Sequence, residues 1–183
     1  MVVHRHAVET PSAWVLRFAP FIRAGGRVLD LACGSGRHAR ALSALGFEVD
    51  AVDCDALAIE RLSDVPRVRA RVADLEAGTW PFPGAHFDAV VVTNYLHRPL
   101  LPILVESLAA DGVLIYETFA RGNERYGRPS NPRFLLEPGE LLRAASGLRV
   151  LAYESLYQST PGPAMVQRIA AVQEGLSAAG EAG

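Results

Sequence analysis

A chain of 183 residues, half of them hydrophobic, is long enough to bury one substantial core, so a single domain over residues 1–183 is expected. Its formal charge of -2 and pI near 6.2 supply no broad basic field, which argues against a nucleic-acid partner held by charge. No apolar run approaches a membrane span and Met1–His6 lacks the apolar stretch of a secretory signal, so a cytoplasmic location without a membrane partner is expected.

The 18 basic residues are all Arg. Without a lysine amine, the chain cannot carry a P-loop lysine, a Schiff-base lysine or pyridoxal phosphate chemistry. Two cysteines, Cys33 and Cys54, do not make a disulfide framework in a domain of this size. Neither sits in a pattern of metal ligands, so no metal site is expected.

Taken in chain order, apolar residues at helical spacing predict a helix over Ser12–Ala24, broken or kinked at Pro20. Arg27–Leu31 reads as a short strand. Ser35–Leu45 follows as a helix stopped by Gly46. Phe47–Val52 is the second strand, Asp55–Ser63 a helix with Asp55 as its cap, and Val68–Val72 the third strand. A turn near Leu75–Gly78 leads to a fourth strand at Phe87–Thr93. A helix over Leu100–Ala110 and a fifth strand at Val113–Thr118 come next. Residues 121–138 are rich in Gly, Asn, Pro and Arg and too long for a simple connection, which suggests a lid loop. A helix at Gly139–Ala145 and strands at Leu148–Glu154 and Met165–Val172 complete the order. Residues 1–10 and 173–183 read as tails.

Strands alternating with helices mean a parallel sheet covered on both faces, a three-layer, Rossmann-like, doubly wound α/β fold. Right-handed crossovers gather the strand ends at one edge, where ligands bind in such sheets. That edge collects Asp30–Gly36, Asp53–Asp55, Asp74, Asn94–His97 and Glu117–Arg121.

Gly34 and Gly36 permit a tight turn with close backbone approach, and the helix that follows directs free N–H groups at the loop. Asp53, 19 residues beyond Gly34, stands near the spacing at which an acid reaches ribose hydroxyls. The same residues admit structural roles: a tight turn for the glycines, and helix or turn caps for Asp53, Asp55 and Asp74. Gly34-Ser35-Gly36-Arg37-His38-Ala39 also matches the dinucleotide fingerprint, which leaves an NAD-dependent oxidoreductase open. Against it, the acid Asp30 would face a pyrophosphate unfavourably but suits an amino-acid ammonium. The Tyr-x-x-x-Lys pair of hydride transfer has no Lys to use.

The segment Asp30-Leu31-Ala32-Cys33-Gly34-Ser35-Gly36, with Asp53, Asp74, the proline-rich Trp80–Val91 and Asp111-Gly112-Val113-Leu114, resembles the class I S-adenosylmethionine (SAM)-dependent methyltransferases. Ala32 stands where that motif commonly has glycine. The resemblance spans roughly residues 25–120. It implies a sheet of seven strands, mostly parallel with an antiparallel last strand, and SAM as cofactor with S-adenosylhomocysteine (SAH) as product. Asp30 would meet the cofactor's ammonium, Asp53 its ribose and Asp74 its adenine, with Leu75 covering the ring. Cys33, Gly34, Ser35, Gly36, Cys54 and Asn94 would line the same site. Residues 94–142 also resemble small bacterial methyltransferases grouped with the tellurite-resistance enzymes.

Methyl transfer from a sulfonium is an in-line displacement that needs alignment of nucleophile and methyl group. His97 is the candidate base or acceptor-positioning group, with Tyr95 beside it; the alternative is a helix-capping or packing His97. Arg98, Arg121, Arg125 and Arg128 suit an oxyanion wall, and Tyr126 a cover over the acceptor, or all form a solvated loop. Asn94-Tyr95-Leu96-His97 is not the Asn-Pro-Pro-aromatic sequence of amide or base-nitrogen methylation. A small-molecule acceptor, anionic or chalcogen-containing, is the expected partner. A SAM-binding module without catalysis is the remaining alternative.

Overall fold

The computed structural model describes residues 10–175. Helix α1 (Ala13–Phe18) is capped by Ser12, whose side chain accepts from the Trp14 and Val15 N–H groups. A 3-10 turn, Ala19–Phe21, carries Pro20, so the expected helix is indeed two pieces. There follow β1 (Arg27–Leu31), α2 (Arg37–Ala44), β2 (Glu48–Asp53), α3 (Ala56–Glu60), β3 (Val68–Val72) and β4 (Phe87–Thr93). The chain continues through α4 (Leu101–Glu106), β5 (Leu108–Phe119), α5 (Glu140–Ala144), β6 (Arg149–Gln158) and β7 (Ala164–Val172).

The seven strands form one sheet in the order β3-β2-β1-β4-β5-β7-β6. The first five pair in parallel, whereas β7 runs antiparallel to both β5 and β6. Alternate residues of the central strands face opposite ways into two cores. Val28, Val49, Ala89, Val91 and Ile115 pack under α1, α2 and α3 with Trp14, Leu42 and Ile59. Leu29, Leu31, Val90, Val92 and Leu114 pack under α4 and α5 with Leu104 and Leu141. Burial on both faces explains why these strands read as unbroken apolar runs.

The sequence and the structure part in several places. The helix expected over Leu100–Ala110 ends at Glu106, and Leu108 already pairs with Phe87 of β4. The Phe87 N–H takes the Ser107 carbonyl at 2.8 Å, so strand pairing captures residues whose local propensity allows helix. Residues 173–175, expected in the frayed tail, are held: Gln173 exchanges backbone bonds with Gly112 and Asp111, and the Gly175 N–H donates to Asp111 Oδ1 at 3.2 Å. The rest of the two expected tails, residues 1–9 and 176–183, lies outside the described residues. Finally, the 121–138 segment is partly sewn down. Leu135 and Leu136 are fully buried, and Leu136 exchanges backbone bonds with Phe119 and Arg121.

Candidate functional site

The carboxyl ends of β1 and β2 build the centre of the site. Beyond β1, Ala32, Gly34 and Gly36 adopt positive φ values of 53°, 54° and 76°. Ala32 therefore holds a left-handed conformation that glycine adopts without strain, the physical reason for glycine at this place in the motif. A Cβ at Gly36 would lie 2.4 Å from Leu62 Cδ2, whereas one at Gly34 would meet no atom within 4 Å. Gly36 is thus needed for packing, and Gly34 borders open space. Gly36 is also the left-handed residue before α2, so the helix begins at Arg37 rather than at Ser35 as the spacing predicts.

Asp53 joins the loops. Its Oδ2 accepts the Gly34 N–H at 2.8 Å and its Oδ1 the Asp55 N–H at 2.9 Å. Asp55 caps α3 by accepting from Leu57 and Ala58. The Cys33 N–H donates to the Val52 carbonyl at 3.0 Å, drawing the glycine loop against the end of β2. Cys33 is buried and its thiol is pushed well up by burial and then by the charges of Asp30 and Asp53, so it is inert. Cys54 is exposed beside Asp53, with Asp74 near enough to act on it.

Asp30 is the site's most perturbed acid. It is 1% exposed, and burial raises its pKa to about 7 against the opposing Ala39 N–H bond and the Arg37 charge. Among the described residues, three buried side-chain polar atoms lack a hydrogen-bond partner: Asp30 Oδ2, Tyr95 OH and Arg168 Nε. Arg168 Nε has Glu117 Oε2 at 3.2 Å as an ion partner. The other two atoms border the carboxyl edge of the sheet.

The remaining members arrive from β3 and β4. Asp74 Oδ1 accepts from the Glu76 and Ala77 N–H groups, bonds that hold its pKa below the usual carboxylate range. Asp74 therefore caps the turn after β3 and is itself exposed there; Leu75 packs against the second core. Asn94 has φ 55°, and its N–H donates to Glu117 of β5. His97 is half-buried and makes no side-chain cap for the 3-10 turn it precedes, although its charge acts on Asp74. Ser35 is half-buried in the loop.

The expected arginine wall is not one surface. Arg98 donates to Glu140 Oε1 at 2.7 Å, to Glu140 Oε2 at 3.0 Å, and to the Arg133 and Leu135 carbonyls at 2.8 and 2.9 Å. Its guanidinium fastens the 131–140 segment to the β4 edge and is spent there. Arg121 pairs with Glu137 at 2.8 Å. Arg121, Gly122, Glu124, Arg125, Tyr126 and Met165 line a cavity of about 400 Å³. Tyr126 also leans on Tyr157, ring centroids 5.0 Å apart, and Arg128 is exposed.

Sequence reasoning missed a buried network behind the loop. The Ser12 N–H donates to His38 Nε2 at 3.0 Å, which leaves Nδ1 to carry the ring proton toward Thr93 Oγ1 at 3.4 Å. Burial, then the Arg37 charge, lowers the His38 pKa to about 3, so the ring stays neutral. The Ser12 hydroxyl donates to Glu117 Oε1 at 2.8 Å. Arg37, the first residue of α2, is close enough to Asp30 and Glu117 for both charges to act on it. Ser12 before an apolar helix is a capping signal, but its partners on α2 and β5 are far away in sequence.

Acids and a glycine loop gathered at the carboxyl edge of a 3-2-1-4-5-7-6 sheet are the arrangement by which α/β domains of this class hold nucleoside ligands. Residues 28–110 match the family model described as a methyltransferase domain. Over 97 residues the chain is 39% identical to protein-L-isoaspartate O-methyltransferase of Chlorobaculum parvum, covering 49% of this chain and 42% of that protein. TehB from Haemophilus influenzae superposes with a TM-score of 0.75 at 20% identity, over 90% of this chain and 63% of TehB. A TehB-like SAM-dependent methyltransferase from Corynebacterium glutamicum gives 0.60 at 22% identity, over 84% and 85% of the two chains. The two structural likenesses bear on the fold. Residues 28–110 thus carry a methyltransferase domain like that of the class I SAM-dependent enzymes, whose cofactor is SAM, and the chain spans less than half the length of the curated relative it matches. Among the described residues no helix is long and apolar enough to cross a membrane.

Proposed function

We propose that this chain transfers the methyl group of SAM to a small-molecule acceptor, anionic or chalcogen-containing. The observation that carries the reading is Asp30 Oδ2, a buried carboxylate oxygen at the end of β1 without a partner among the described residues. Such a group costs free energy unless a ligand completes it, and an α-ammonium is the complement. Asp53 retains lone pairs beyond its two backbone bonds and suits ribose hydroxyls. Asp74 keeps its second oxygen for an amine, and the open space at Gly34 accommodates a ligand against the backbone. Cys33, Ser35, Gly36, Cys54, Leu75 and Asn94 are the surrounding wall.

When bound, SAM supplies a sulfonium methyl group open to in-line attack. The chain's part is then to hold the cofactor by its two ends, keep water out and align the acceptor. His97, free of any capping bond, is the group for positioning the acceptor or taking its proton. A soft thiol or chalcogen nucleophile needs little base strength, which fits the half-buried imidazole of His97. The cavity of Arg121, Arg125 and Tyr126 is the acceptor end in this reading, with Arg128 at its rim, and the exposed part of 121–138 is its lid.

The test is a thermal-shift titration with SAM, SAH and NAD in parallel, followed by SAM turnover against thiols and chalcogen oxyanions. A rise in midpoint with SAM and SAH alone, then acceptor-dependent SAH release, is expected. A rise with NAD alone defeats the reading. Binding without turnover for any acceptor leaves a SAM-binding module instead.

A further inference from the structure

Tyr95 follows the left-handed Asn94 at the end of β4, and its carbonyl accepts the Tyr116 hydroxyl at 2.8 Å. That bond ties its backbone to β5. Its ring packs against the second core, while its own hydroxyl is buried with no partner among the described residues. A buried hydroxyl left unpaired is costly, so its partner is expected to arrive with the ligand.

The surroundings say which part of the ligand that is. The groups whose charges reach the phenol are Glu76, Asp74, Cys54 and Asp53. They belong to the turn after β3 and the end of β2, the side assigned to adenine and ribose. Asp30 and Arg37, at the amino-acid side, are not among them. Burial and these acids push the phenol up to about 12, so it is a proton donor at neutral pH and no base.

We infer that the Tyr95 hydroxyl donates a hydrogen bond to the nucleoside half of the cofactor and acts in cofactor binding, not on the methyl acceptor. The inference rests on the SAM reading above and moves Tyr95 from the catalytic role expected beside His97.

The experiment compares wild type and Tyr95→Phe for calorimetric affinity toward SAH and toward 5′-methylthioadenosine, which lacks the amino-acid end, together with the ligand-free thermal midpoint. Both affinities are expected to fall by the same factor, about five- to tenfold. The ligand-free midpoint is expected to hold or rise, because the substitution deletes an unpaired buried hydroxyl. Unchanged affinity for both ligands overturns the inference, and so does a loss for SAH alone, which would place the hydroxyl at the amino-acid end. A lowered ligand-free midpoint with intact affinities assigns a packing role and also overturns it. Wild-type protein that binds neither ligand defeats the cofactor reading itself, a result distinct from these.

Discussion

Asp53 Oδ2 accepts the Gly34 backbone N–H at 2.8 Å, so the acid at the end of β2 holds the glycine loop at the end of β1. The residue expected to bind ribose also shapes the loop beside it. Asp53→Ala should therefore weaken SAH binding at least tenfold and also cost about 1–3 kcal/mol of stability. Asp53→Asn keeps one acceptor oxygen and should fall between. Urea denaturation alongside calorimetry checks both; full stability with lost affinity would confine Asp53 to the ligand.

Asp30 couples the site to pH. Its ordinary pKa of 3.8 is raised to about 7 in the folded, ligand-free protein, chiefly by burial. The folded state then binds more protons than the unfolded state between those values, so this group's contribution to stability falls as pH rises from 3.8 to about 7. An ammonium ligand needs the ionised form. SAH affinity should climb with pH below about 7, approaching tenfold per pH unit, until the ligand's own amine titrates. Asp30→Asn should flatten that rise. A pH-independent wild-type affinity would remove Asp30 from the ammonium site.

Gly34 and Gly36 should separate under substitution. Gly36→Ala drives a Cβ into Leu62 at a left-handed position and should cost about 2–4 kcal/mol. Gly34→Ala meets no atom and should cost only about 1 kcal/mol while obstructing the ligand. Ala32→Gly should be neutral or stabilising by relieving φ 53°. Thermal midpoints with and without SAH report all three; equal losses for the two glycines would refute the distinction.

Arg98 should behave as a fastener. Arg98→Ala removes its bonds to Glu140, Arg133 and Leu135 and should lower stability by about 1–2 kcal/mol, given its partial exposure. SAH affinity should hold within about twofold. Limited proteolysis should cut within 131–140 sooner. A turnover defect with unchanged proteolysis would return Arg98 to the acceptor wall.

The central strands and the edge they share were legible in the sequence, because fully buried strands write themselves as apolar runs between glycines and acids. Arg27–Leu31, Val68–Val72 and Phe87–Thr93 are found with the bounds expected of them. The acids of the candidate site were legible for a related reason: the crossovers deliver Asp30, Asp53 and Asp74 to one edge whatever the details of packing. Leu108 shows where local pattern stops. Its pairing with Phe87 is a contact between distant segments that no local propensity encodes.

Side-chain partnership was decided by the tertiary structure alone. Arg98 looked like an anion ligand until Glu140, 42 residues away, occupied it. Ser12 gained its partners from His38 and Glu117, and Tyr95 has a buried hydroxyl with no partner among the described residues. Sequence spacing determines which residues reach the cleft, since the backbone path is set by the buried strands. Which of them remain free for a ligand depends on charges and hydrogen-bonding groups brought together across the fold.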